Sequence, residues 1–139
     1  MKTKNEYKSF NTDKSIEELK YNLLQQRETV GNLIIEQEFY KKLLNAPIYQ
    51  SEKLNVFEKL EGFKNELKKT AETNKLLLNE IGVQLFQIDK KVECDDLFCD
   101  NFFIKEIDTL ELKIHNFLIK ITALKLQMIE YFQDVMIEN

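Results

Sequence analysis

One apolar series dominates the C-terminal third of the chain. Phe103, Ile107, Leu110, Ile114, Phe117, Ile121, Leu124, Met128, Tyr131 and Val135 follow one another at alternating spacings of three and four. A seam of that kind, held for more than four heptads, specifies a long helix packed along its length against other helices. Few other folds are open to such a chain. A second series, Leu112, His115, Ile119, Thr122, Leu126 and Ile129, falls on the side of the same helix that faces away from the first. A helix that is apolar on two opposite sides is expected to be covered on both.

The rest of the sequence agrees with long helices. Three Gly and one Pro in 139 residues leave room for very few turns, and apolar–polar alternation of strand type is nowhere sustained. The expected fold is all-α: an elongated, antiparallel up-down-up three-helix bundle with coiled-coil-like packing. Residues 1–13 are expected to form a mobile or loosely docked arm, and residues 14–139 a single domain with helices over about 15–45, 51–92 and 98–138.

Ser15-Ile16-Glu17-Glu18 has the pattern of a capping box, in which serine and the glutamate three residues on satisfy each other's amides. The first helix then carries the seam Ile16, Leu19, Leu23, Val30, Leu33, Tyr40 and Leu44, with Gln26 and Gln37 in the same stripe. Its back bears a weaker stripe of Tyr21, Leu24, Gly31, Ile35 and Phe39. Gly31 costs a helix interior roughly 1 kcal/mol relative to Ala, which suggests that a second backbone comes close there. Pro47 ends the helix, and Ser51 is the expected cap of the next. The second helix reads Phe57, Leu60, Leu67, Ala71, Leu78, Ile81, Leu85, Ile88 and Val92, with Lys64 and Asn74 at seam positions. Its back is mostly Lys, Glu, Asn and Thr and is expected to be solvated. Short connectors make successive helices antiparallel neighbours.

The formal net charge is −4, and the lysines at 64, 68, 69 and 75 are interleaved with Glu61, Glu66 and Glu72. Phosphate backbones are bound by clustered cations, so a nucleic-acid partner is not expected. No apolar run approaches the length of a membrane span, and a cytoplasmic location is the default expectation.

Candidate chemistry is sparse. His115 is the single histidine, too few for a carboxylate-bridged di-iron site, which takes two Glu-x-x-His motifs. Glu111 and His115 are spaced i, i+4, as two metal ligands on one helix face would be. The segment Cys94–Asp100 combines Cys94, Asp95, Asp96, Cys99 and Asp100. It lacks the alternating acids and glycine of a calcium loop, and its acids work against a reactive thiolate. Capping of the third helix is the simpler role for these aspartates. No nucleophile–base pair or phosphate loop is present, so no enzyme activity and no cofactor are expected.

What remains is the two-sided amphiphilicity. The candidate association surface comprises Leu112, His115, Ile119, Leu126 and Ile129 on the third helix, with Leu24, Gly31, Ile35 and Phe39 on the first. The expected function is non-enzymatic: self-association, most simply as a homodimer, or binding of another helical protein, in a scaffold, adaptor or chaperone-like role. Two alternatives are a metal-binding or redox-responsive protein using the Cys94–Asp100 loop or Glu111/His115, and a peripheral coat on a lipid or polymer surface. The absence of Trp and of a basic rim around Leu112 weighs against the coat.

Overall fold

The computed structural model describes residue 11, residues 14–91 and residues 97–137, the last with side chains from residue 102 onward. Three helices account for nearly all of this: α1 (Ile16–Leu44), α2 (Val56–Lys91) and α3 (Leu97–Val135). At 1.5 Å per residue, the 39 residues of α3 extend roughly 58 Å. Ser15 caps α1 as the sequence requires, its hydroxyl accepting from the Glu18 amide while the Glu18 carboxylate accepts from the Ser15 amide.

Pairs between helices fix their directions. Lys20 meets Asp89 and Gln37 meets Asn74, so residue numbers fall along α2 as they rise along α1. Lys113 meets Glu80 and Gln84 meets Glu106, so α3 is antiparallel to α2. Gln26 meets Glu111 and Glu36 meets Lys125, so α1 and α3 run parallel. The arrangement is an up-down-up three-helix bundle. α2 packs closely on both neighbours, whereas α1 and α3 stand further apart and are bridged mainly by long side chains.

The apolar core falls into two blocks. One gathers Leu19, Leu23, Val30 and Leu33 with Leu77, Ile81, Leu85 and Ile88 and the α3 seam from Phe103 to Ile121. The other gathers Leu44, Val56, Leu60 and Leu67 with Leu124, Met128, Phe132 and Val135. Gln37 and Asn74 are buried where the blocks meet, Asn74 completely. The Asn74 amide donates to the Val30 carbonyl at 2.9 Å, and its oxygen accepts from Gln37 Nε2 at 3.4 Å. A buried amide is tolerable only when satisfied, so this layer selects one vertical register of α2 against α1.

The structure departs from the sequence pattern at the bundle end formed by the α1–α2 connector. α2 begins at Val56, not at Ser51, because the connector is used elsewhere. Its Gln50 amide donates to the Val135 carbonyl and the Ile137 amide to the Ile48 carbonyl, both at 2.7 Å, forming an antiparallel bridge between Tyr49 and Met136. The chain then turns through residues 51–54 into Asn55, whose φ of 60° lies in the left-handed region that Asn tolerates better than most residues. Starting α2 there buries Val56 and leaves Phe57 exposed; further along, Leu77 is buried and Leu78 half-buried. The α3 seam likewise steps from Met128 to Phe132. Phe132 stacks near Tyr40 and Tyr49, and Tyr131 turns aside against Phe63. The Tyr131 hydroxyl is buried without a hydrogen-bond partner among the described residues. The outer face of α2 is also less polar than expected, with Leu76, Val83 and Phe86 exposed and the Lys90 ammonium over the Phe86 ring.

Of the N-terminal arm, Asn11 is described, and it is buried against α3. Its amide donates to Asp108 at 2.6 Å and Glu111 at 2.5 Å, and its oxygen accepts from Lys14.

Two outcomes follow from this packing. Asn74→Ala removes the acceptor of the buried Gln37 amide and is expected to cost about 1–3 kcal/mol in urea unfolding. The Gln37→Leu/Asn74→Leu pair is expected to recover most of that stability. Burial raises the Tyr49 phenol above its ordinary 10.0, and its hydroxyl donates to the Leu43 carbonyl. A folded-state pKa above the unfolded one gives stability that is present below pH 10.0 and lost as pH rises through the folded value. Tyr49→Phe is therefore expected to flatten the alkaline fall in melting temperature.

Candidate functional site

The directions in which α1 and α3 point follow from their partners. On α1, Lys20 and Gln37 mark the side turned to α2, and Gln26 and Glu36 the side turned to α3. At 100° per residue, Tyr21, Ile35 and Phe39 then project from the α1–α3 layer on the side away from α2. On α3, Glu106 and Lys113 are turned to α2, and Glu111 and Lys125 to α1. The same construction sends Leu112, Ile119 and Leu126 outward in the same direction. The two back stripes thus lie on one broad face, made by a pair of parallel helices with α2 behind them.

The side chains on this face are open. Ile119 is 38% exposed, Leu126 56%, Phe39 60% and Ile35 71%, and Leu112 and Ile129 are likewise exposed. Tyr21, absent from the association surface expected from sequence, projects from the same face and is equally exposed. Its place in the α1 back stripe was the available signal. Leu24 differs from the rest, because it is half-buried and packs on the first core block. His115 and Gly31 are half-buried.

Between the two apolar ridges runs a polar seam. Glu111 accepts from Asn11 and from Gln26 Nε2, the latter at 2.9 Å, and the Lys125 ammonium lies 2.8 Å from Glu36. These partners explain how α1 and α3 stay apart without leaving a dry gap. They also occupy the carboxylate that sequence spacing paired with His115. Among the described residues, no group of three or more His, Cys, Asp or Glu side chains gathers as a metal site. The candidate segment Cys94–Asp100 lies largely outside the described residues, and the side chains of Cys99 and Asp100 are not described. The depressions along the helix pairs are shallow grooves open to solvent, such as that between Glu80, Val83, Phe102 and Lys113.

Gly31 serves no close approach among the described residues. A Cβ built there meets nothing within 4 Å, so the expected backbone neighbour is not among the described residues. None of the three helices is long and apolar enough to cross a membrane. Compared with known proteins, the chain matches no family model, no curated protein and no solved structure.

The open space at Gly31 gives a direct expectation. Gly31→Ala should stabilise the fold by roughly 1 kcal/mol, the helix-propensity difference with no steric penalty to offset it. Chemical denaturation of the variant beside the unaltered chain at low protein concentration measures it. A loss of stability there would show that the site is more crowded than its surroundings indicate.

Proposed function

We propose that this protein is a non-enzymatic helical bundle that works by self-association, presenting paired α1–α3 faces as a scaffold or adaptor. The observation that carries the proposal is the coincidence of two apolar ridges on one face. Tyr21, Ile35 and Phe39 lie on one helix, and Leu112, Ile119 and Leu126 on its parallel neighbour. Single exposed apolar residues are ordinary on a protein surface, but a contiguous apolar area of several hundred Å² marks a contact site. Standard interfaces bury about 1,600 Å² in total, roughly half from each partner. The polar seam of Gln26, Glu111, Glu36 and Lys125 lies between the two ridges, so a partner that covers both ridges covers that seam as well.

The composition of the face also suits a protein partner. It offers aromatic and branched aliphatic side chains with polar groups between them, the mixture usual for reversible contacts. A second copy is the occupant favoured here, because the face is two parallel helices of similar exposure and can pair with itself through a two-fold axis. The cytoplasm is the compartment consistent with the sequence's two-cysteine, mildly acidic composition.

Ile119→Glu places a charge in the middle of the longer ridge, where it is already 38% exposed in the monomer. Sedimentation velocity is expected to show a shift to monomer, with the helical circular dichroism and melting temperature of the monomer retained. An unchanged sedimentation profile would remove α3 from the contact.

A further inference from the structure

Asn11 is buried against α3, and the place where it sits gives the N-terminal arm a direction. Its side-chain amide donates to Asp108 and Glu111, its side-chain oxygen accepts from Lys14 Nζ, and its carbonyl accepts from the Lys14 amide. Asp108 precedes Leu126 by about five full turns at 3.6 residues per turn, so it stands on the same outward ridge as Leu112, Ile119 and Leu126. The helix α1 begins at Ile16, which the Gln26–Glu111 pair sets level with position 101 of the parallel α3. Between Ile16 and Asn11 the chain therefore doubles back along the bundle by roughly 10 Å, at 1.5 Å per residue of α3. From Asp108 that course leads on toward Leu112 and Ile119.

Ten residues precede Asn11, outside the described part of the chain. Extended, they reach roughly 33 Å, and the ridge from Leu112 to Ile129 is roughly 26 Å long. Their composition suits it. They carry Lys2, Lys4 and Lys8 against a single Glu6, with Tyr7 and Phe10 near the end that meets Asn11. The α3 ridge and its seam with α1 present Asp108, Glu111, Glu36 and Glu130, and the ammonium of Lys125 among them is already held by Glu36. A basic segment with two aromatic rings is thus delivered to an apolar ridge with acidic margins. Because the segment is tethered at Asn11, its docking is intramolecular and needs much less contact than a free partner does.

We propose that residues 1–10 lie along the α3 ridge of their own chain, as a strap anchored at Asn11 and running from Asp108 toward Ile129. A second copy has to displace this strap, and the strap stands whether or not the chain self-associates.

The full chain carrying Cys94→Ser and Cys99→Ser, spin-labelled at Lys4→Cys, tests it. Seven residues from Asn11, the label is expected roughly 23 Å along the ridge, close to Leu126. Paramagnetic broadening is expected on the methyl groups of Leu126 and Ile129, and not on those of Leu76 and Val83, which are exposed on the outer face of α2. Broadening on both faces alike, or on neither, would overturn the strap. A mixture of the spin-labelled chain with an isotopically labelled, diamagnetic one is expected to show none. Broadening in that mixture would place the arm on a second copy and overturn the intramolecular contact. Asn11→Asp sets a third carboxylate beside Asp108 and Glu111 and provides the second measurement. Trypsin is expected to cleave after Lys8 roughly fivefold faster than in the unaltered chain, the effect of losing the anchoring hydrogen bonds, with the helical circular dichroism retained. Equal rates would overturn the anchor. None of these readouts depends on molar mass, so a failure of the strap and a failure of self-association are told apart.

Discussion

The buried amide of Asn74 is the constraint on which the rest of the bundle hangs. Heptad seams of Leu and Ile are nearly periodic, so a helix can slide by one repeat against its neighbour with little change in apolar contact. A fully buried side chain that donates to the Val30 carbonyl and accepts from the Gln37 side-chain amide would, after a slide of seven residues, meet Val30 or Leu44 in place of Gln37 and lose its donor. The layer weakens the core locally, since it divides the apolar block in two, and in exchange it makes the register single-valued. It sets the level of α2 against α1, and α3 is set against α1 by the Gln26–Glu111 and Glu36–Lys125 pairs.

The second constraint acts at the end of the bundle. The bridge between Tyr49 and Met136, with the side-chain amide of Gln50 on the Met136 carbonyl, straps the α1–α2 connector to the exit of α3. Tyr40, Tyr49 and Phe132 fill the space beneath it. With α2 packed closely on both neighbours and the two ends of the parallel pair tied, α1 and α3 are held as a layer. Their separation is filled by Gln26, Glu111, Glu36 and Lys125. A layer with α2 on one side has one side left over, and the exposed apolar ridges stand on that side.

Much of this was legible in the sequence, for a physical reason. Helical periodicity is a local property, so the number of helices, the capping box at Ser15 and most of the three seams could be read from spacing alone. The two-sided character of α3 was legible in the same way, because Leu112, Ile119 and Leu126 repeat at seven. What could not be read depended on partners distant in the chain. Whether Val56 or Phe57 enters the core is decided by where the connector is pinned, and the pin is at Val135. Whether Tyr131 or Phe132 continues the α3 seam is decided by Tyr40 and Tyr49. Asn11 gave no signal at all, since a lone polar residue near the terminus acquires its role only when Asp108 and Glu111 are brought beside it. Gly31 was legible as an anomaly but not as a close approach, and the space around it is open.

A seam that closes inside the molecule and a face that remains open outside it are thus two products of one long helix and its parallel neighbour. A second copy covering that face is the central proposal. The molar mass in solution, by light scattering across a concentration series, addresses it without altering the protein. A mass approaching twice the 16.6 kDa of the chain is expected as concentration rises. A mass that stays at 16.6 kDa throughout the series would contradict it.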